Sequence, residues 1–350
     1  MNAIIPKILI DGVDTDYLEG SYAQPGQLGA ASLEFSIPQV QGGTRKLWNK
    51  EVLLYLNEFD STPIFRGWIK RTNPTFNNVS IYAEDAFGYM IKGGESEKAK
   101  VVLTDTDNID GLTLGAAVPK LLTMSKLNTK CLTTLIGDTT PTVNSVSAPI
   151  RGTMVVLDVI KGLLSKAIDN SQTLPRPNIA RLIDDGSNTQ FIIEPDSNVD
   201  SDQIVHIYTE RDNIVELNIV NRKVPTVIIV NGKDGVSSTF THDTALEAYD
   251  RNYLEVTNDN LTSPPECQEF AIKLFEANLK NQYEYGLKVS DGFYLNENDV
   301  VRVQTDNPEY TDNYRVIGKT ISFSPASFEF GISLNKKPPT LAEYVASRDN

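Results

Sequence analysis

Three short runs rich in β-branched and aromatic residues lie close together near the N-terminus, at residues 52–56, 64–71 and 79–83, with turn formers between them at 57–63 and 72–78. Such side chains suit a pleated, half-buried surface, whereas Asn, Asp, Pro and Gly interrupt one. In the third run Val79, Ile81 and Ala83 point one way, and Ser80 and Tyr82 the other. The spacing predicts an antiparallel meander with one face in a core, the unit of a small barrel or sandwich.

The same order returns near the C-terminus, over residues 299–334: a strand at 300–303, an acidic turn, a strand through a glycine, a turn containing proline, and an alternating strand. Gly67 and Gly318 are separated by 318 − 67 = 251 positions, and Pro74 and Pro325 by 325 − 74 = 251. At that offset Val79, Ile81 and Ala83 fall on Phe330, Ile332 and Leu334, so the apolar face is kept. The pattern predicts an internal duplication of a β unit.

Between the meanders the pattern changes. Residues 7–10 open as a strand and 33–37 alternate, with Leu33, Phe35 and Ile37 on one side; residues 24–29 between them read as loop. With the first meander these predict an all-β domain over 1–94, closed by a turn or short helix at 85–91. Helical spacing appears at 113–127 and 153–168, where Val156, Ile160, Leu163, Leu164 and Ile168 recur at threes and fours behind Thr153 as N-cap. A strand with an Asp-Asp-Gly turn over 178–188 and a strand at 191–193 complete an α/β lobe over 95–202. Strand patterns at 203–208, 214–220, 224–230 and 236–240 begin a second β domain, assigned to 203–245 and 283–335. Asn231-Gly232 between two of these runs is a hairpin signal. Pro264-Pro265-Glu266 starts a helix to about 280, with Phe270, Leu274, Ala277 and Leu279 on its apolar side, inside an insertion over 246–282. Residues 336–350 form a tail. The fold class expected is α+β, mainly β: two antiparallel tube-like barrels, an α/β lobe between them and a helical insertion in the second.

Composition narrows the function. The chain has 350 residues, 32 Lys and Arg against 46 Asp and Glu, and a formal net charge of −14. Phosphate backbones are bound through Lys and Arg, so nucleic acid is disfavoured as a stable ligand. Two cysteines, Cys131 and Cys267, make no disulfide scaffold and read as buried thiols. The first residues resemble neither a signal peptide nor a membrane span.

The residues that could carry chemistry are few. Of two histidines, His206 sits within an alternating strand and His242 in a loop, and neither has zinc-ligand spacing. The run Asp105-Thr106-Asp107-Asn108-Ile109-Asp110-Gly111 departs from a calcium loop, with Ile109, Asp110 and Ala116 where the template has an oxygen ligand, glycine and glutamate. It reads instead as a turn before the helix at Thr113. Gly318-Lys319-Thr320 lacks the first glycine of a phosphate loop, Asn313 standing there. The pairs Glu84–Asp85 and Asp184–Asp185 are adjacent acids, which point apart on a strand. No cofactor, metal site or catalytic residue is expected, and the chain does not read as an enzyme.

Taken in order, three phrases near the N-terminus (residues 31–37, 63–69 and 79–89), the helix at 267–279, and the runs 294–303 and 314–317 resemble the baseplate hub proteins of contractile phage tails and related contractile injection machines. Glu297-Asn298 departs from the family, which often carries Pro-Gly there. The resemblance implies two tube-like barrels per chain and a homotrimer. Six similar units would then form a collar on a hexameric tail tube, with a trimeric spike opposite. It also implies as partners a tail tube protein, a spike protein, and tape-measure and baseplate wedge proteins. DNA would pass transiently through a channel whose acidic wall repels it. The location implied is the tail baseplate of a virion, assembled in the host cytoplasm. The interface candidates are Arg66, Gly67 and Trp68, the Asn231-Gly232 hairpin, and Leu341 and Tyr344 of the tail. The alternative of a different class is a carbohydrate-binding β module using Trp or Tyr platforms.

Overall fold

A computed structural model of the chain describes residues 4–26, 29–39, 47–57, 59–92, 100–135, 151–164, 168–169, 176–195, 204–221, 224–243, 246, 251–258, 261–280, 283–292, 294–296 and 299–336. The chain divides into two compact units, Met1–Gln203 with Gly318–Gly331, and Ile204–Ile317 with Ile332–Asn350. The architecture is mainly β, built on antiparallel sheets with few helices.

The first unit opens with β1 (Lys7–Ile10), β2 (Val13–Asp14), β3 (Glu19–Pro25), β4 (Ser32–Pro38), β5 (Glu51–Tyr55), β6 (Phe65–Pro74) and β7 (Asn78–Glu84), followed by α1 (Ala86–Lys92). These strands hydrogen-bond in the order β3-β4-β7-β6-β5-β1-β2, each pair antiparallel. The alternation read in the sequence is the alternation of burial: Leu33, Phe35, Ile81 and Ala83 are buried, while Glu34 is exposed and Ser80 and Tyr82 half-buried. Strand β3 is a gain over the sequence pattern, which reads in part as loop there. Tyr22 is the one large side chain it buries, and its Gly, Ser and Pro read as turn formers.

The lobe within this unit contains β8 (Lys100–Leu103), α2 (Leu114–Met124), β9 (Leu132–Leu135), β10 (Gly152–Val155), α3 (Val156–Leu164), β11 (Ile168–Asp169), β12 (Arg176–Asp184) and β13 (Thr189–Pro195). Thr113 caps α2, its side chain accepting from the Ala116 N–H. Thr153 does not cap α3. It lies in β10 opposite Val102 of β8, so the helix begins later, and Ile168 belongs to β11. The buried faces of α2 and α3, including Leu121, Leu122, Ile160 and Leu163, pack with Phe191, Ile193 and the α1 residues Phe87 and Met90.

The second unit contains β14 (His206–Thr209), β15 (Ile214–Asn221), β16 (Val227–Asn231), β17 (Ser237–Thr241), β18 (Tyr253–Thr257), α4 (Pro264–Lys280), β19 (Tyr283–Val289) and β20 (Val300–Gln304), with parts of β21 (Asp312–Ser324) and β22 (Ser327–Lys336). Its main sheet runs β15-β19-β22-β21-β20-β14. Strands β16 and β17, read from the sequence as part of the second β domain, instead form a three-stranded sheet with β18. Helix α4 packs on that sheet through Cys267, Ala271 and Phe275, with Phe270 and Leu274 at the margin. The side chains of Ala277 and Leu279, expected on the apolar stripe, lie outside the described residues.

The two main sheets repeat one plan. Residues 32–38 of β4, moved by 251, become 283–289, the bounds of β19. Strand order matches: β3-β4-β7-β6-β5-β1 against β15-β19-β22-β21-β20-β14. Facing is shifted by one residue in the second strand: β4 buries Leu33 and Phe35, whereas β19 buries Tyr285, Leu287 and Val289. Phe330, Ile332 and Leu334 of β22 are buried, as the offset from β7 requires. The outermost strands differ, β1 pairing antiparallel with β5 and β14 parallel with β20.

Candidate interface surfaces

Strand β21 serves two sheets. Residues Asp312–Arg315 pair with β20, and from Gly318 to Phe323 the strand pairs with β3. Its buried residues are Tyr314 in the first stretch, Val316 between the two, and Gly318, Ile321 and Phe323 in the second. Tyr17, just before β3, closes on Phe323 edge-on with ring centroids 5.2 Å apart. Gly20 is required here, because a Cβ would meet the Phe323 ring at 2.5 Å.

Across this joint the first unit carries an open polar face, laid out in two cross-strand rows. One row runs Ser322, Ser21, Glu34, Tyr82 and Arg71; the other runs Glu19, Ser36, Ser80 and Asn73. A cleft of about 610 Å³ lies over it, lined by serines of β3, β4, β7, β21 and β22, by Glu19, Glu34 and Glu329, and by Gly20, Phe35 and Phe323, with no Lys or Arg among the described residues of its lining. The surface is therefore small-grained, hydroxylic and negative. At its margin the Arg71 guanidinium sits 5.3 Å from the centre of the Tyr82 ring. Burial, with a hydrogen bond to Glu84, pushes the Tyr82 phenol up to about 12.

Several candidates from the sequence are engaged inside the chain. The Arg66 side chain is 10% exposed; its guanidinium donates to both carboxylate oxygens of Asp184, to Glu51 and to the Gly186 carbonyl. It thus fastens β6 to the β12–β13 turn of the lobe. Trp68 is 7% exposed, packs into the lobe core, and carries the Lys130 ammonium 4.1 Å from its ring centre. A buried ring offers no platform for sugars; Trp48 is the exposed tryptophan. Gly67 allows β6 to approach β7, since a Cβ would stand 2.6 Å from the Glu84 carbonyl oxygen. Asn231 donates to Glu255 of β18, and Gly232 is pressed against Leu261 and Cys267. The β16–β17 hairpin exists, but its left-handed residues are Asp234 and Gly235 (φ 55° and 80°), not Asn231-Gly232. Leu341 and Tyr344 lie outside the described residues.

Asp85, at the end of the acid-Ala-Phe-Gly phrase, is buried and structural. Its carboxylate accepts from the Ala31 N–H at 3.0 Å and the Gly88 N–H at 3.2 Å, capping α1 and holding the start of β4. Burial outweighs these bonds and pushes its carboxyl up to about 7. The acidic turn at 105–110 is neutralised from within: Arg151 pairs with Asp105 and Asp110, and Lys120 with Asp107. Asp110 is held below the usual carboxylate range by that hydrogen bond from Arg151.

One cluster escaped the sequence reading. His206 accepts or donates at Nδ1 with the Tyr294 hydroxyl (2.6 Å), while Nε2 lies 3.3 Å from the Asn213 amide and 3.4 Å from Asp291. Both ring nitrogens are thereby occupied, so the imidazole pins the connection between β19 and β20 rather than presenting a free base. The partners come from positions 213, 291 and 294, with no local spacing to reveal them. Among the described residues no group of His, Cys, Asp and Glu is arranged to hold a metal, and no helix is long and apolar enough to cross a membrane. Cys131 and Cys267 are free and buried, and burial raises the Cys131 thiol to about 12.

This arrangement of paired sheets and intervening lobe is the fold of phage tail proteins. The chain superposes on the tail protein from Neisseria meningitidis MC58 with a TM-score of 0.65 and 13% identity, over 95% of this chain and 96% of that one. On the 43 kDa tail protein of prophage MuSo2 from Shewanella oneidensis the TM-score is 0.62 at 9% identity, over 95% and 98%. The E. coli c3393 protein, a type VI secretion component described as similar to the T4 tail proteins gp27 and gp5, gives 0.52 at 10% identity, over 93% and 76%. No family model and no curated protein matches by sequence.

Proposed function

We propose that the chain is a structural hub of a contractile tail baseplate, a trimeric adaptor between a six-fold tail tube and a three-fold spike. The observation that carries this reading is the repeated sheet. One chain bears two β units with the same strand order, so three chains would display six comparable units. A ring of that kind matches a hexamer on one side and a trimer on the other without any change in the chain. The fold shared with tail proteins and with a type VI secretion component supports a structural role in the tail of a virion or a related machine.

The serine and glutamate face of the first unit supports the channel-lining part of the proposal. Carboxylates repel a passing phosphate backbone, and short hydroxyl side chains hold their own water and offer nothing to grip. The interface candidates of the sequence are refined accordingly: Arg66 and Trp68 act within the chain, and the docking surfaces are sought on strand edges. No observation favours the carbohydrate-binding alternative.

The test is co-sedimentation with polymerised tube protein of the same tail. The proposal expects a saturable, end-limited complex, with the bound amount scaling with the number of tube ends. Binding along the whole tube, or none at all, would contradict it.

A further inference from the structure

Strand register gathers acids and hydroxyls over β3 and its neighbours in the first unit. Glu19 of β3 faces Ser36 of β4, which faces Ser80 of β7; in the next row Ser21 faces Glu34. Glu19 and Glu34 are therefore diagonal neighbours across one strand pair, with their side chains on the outer face of the sheet. The two-residue turn Pro325-Ala326 sets Ser324 against Ser327, with hydroxyls 2.8 Å apart, and so Glu329 against Ser322. Ser322 in turn faces Ser21. A third carboxylate thus stands at the far side of the same cleft, two strand spacings, about 10 Å, from β3.

The cleft is suited to positive charge. Ser36 points outward yet is only 9% exposed, and its hydroxyl lines the cleft with no hydrogen-bond partner among the described residues. A buried hydroxyl of this kind is costly until a ligand or water completes it. Glu19 and Glu34 have no cationic partner among the described residues, unlike Asp105, Asp110 and Asp184, whose charges are met by arginines.

Other ligand classes fit less well. Anions are refused by the sign of the charge. The three carboxylates are spread over β3, β4 and β22 rather than converging on a point, and no group able to hold a metal occurs among the described residues. The rings of Phe35 and Phe323 are buried, so neither gives a sugar a stacking platform. What remains is a ligand with cationic groups spaced along a thin, flexible stem. One ammonium between Glu19 and Glu34 can donate to both carboxylates and to Ser36, and another, further along the row of hydroxyls, meets Glu329.

We infer that this cleft binds a linear polyamine, laid across β4, β3, β21 and β22 with one end ammonium between Glu19 and Glu34. The site goes beyond the hub reading, because a single chain carries it whatever that chain assembles with. A bound polycation would reverse the sign of a face that otherwise repels phosphate.

Calorimetric titration of the full-length chain with spermidine at low ionic strength tests the inference. The Tm of each variant is measured alongside; Glu19 and Glu34 are exposed, so their substitution leaves the fold intact. The expected result is one saturable equivalent per chain, weakened about three- to tenfold by Glu19→Gln or Glu34→Gln and about threefold by Ser36→Ala. Glu269→Gln, an exposed acid of α4 outside the cleft, should leave the affinity unchanged. Putrescine, too short to reach Glu329, should bind more weakly than spermidine. Equal weakening by Glu269→Gln, or uptake that never saturates, would show only a diffuse counterion atmosphere around an acidic chain and overturn the site. Saturable binding that the three cleft variants leave intact would overturn it as well. Putrescine binding as tightly as spermidine would overturn the placement across the strands, and calcium binding more tightly than either would assign the cleft to a metal. None of these failures touches the hub reading.

Discussion

Arg66 and Asp184, 118 positions apart, form a two-pronged ion pair, the guanidinium Nε and Nη2 donating to the two carboxylate oxygens. Both side chains are nearly enclosed, at 10% and 6% exposure. Removing Arg66 leaves the buried Asp184 carboxylate uncompensated, which costs on the order of 3–5 kcal/mol, whereas removing the Asp184 charge leaves Arg66 its ion pair with Glu51. Arg66→Met is expected to lower the urea midpoint markedly, and Asp184→Asn by less. The double change Arg66→Met with Asp184→Leu is expected to recover part of the loss. Equal midpoints for the single and wild-type chains would show that the pair does not hold the lobe to β6.

Gly67→Ala should be destabilising despite its small size. The added methyl would press on the Glu84 carbonyl and the Phe65 ring, and β6 would have to separate from β7. Overpacking of this kind costs about 1–3 kcal/mol, read as a drop in Tm. Gly162→Ala is the control, because nothing lies within 4 Å of its added carbon.

Asp85 predicts a pH dependence of stability with a definite sign. Its carboxyl is raised by burial from 3.8 to about 7, so between these values the folded chain binds a proton that the unfolded chain has released. Stability from this group therefore falls as pH rises through that window. Asp85→Asn keeps one of the two acceptor oxygens that the Ala31 and Gly88 amides use and removes the titration. Compared with wild type, the variant should lose stability at pH 5 and little or none at pH 8. An unchanged difference in urea midpoint at the two pH values would contradict the assignment.

What the sequence revealed and what it hid have physical causes. Strands β4, β7 and β19 were legible because each buries every second residue, as in Leu33 and Phe35 or Ile81 and Ala83. Strand β3 was hidden because it is held by neighbours on both sides and buries little besides Tyr22. The hairpin after β16 was found from the wrong dipeptide: Asn231-Gly232 ends the strand, and the left-handed turn falls to Asp234-Gly235. Arg66 and Trp68 looked like surface anchors because their partners, Asp184 and the lobe core, are distant in sequence. The polar face was written in the outward positions Glu34, Ser36 and Ser80. Its extent became visible only when register aligned them with Ser21 and Ser322.

The central claim is that one chain supplies two matching β units so that three chains make a six-part collar. Native mass spectrometry of the purified chain, alone and with its tail's spike protein, tests it most directly. A three-chain species, alone or with three spike chains, is the predicted result. A chain that remains single in both conditions, or assembles in twos or fours, would contradict it.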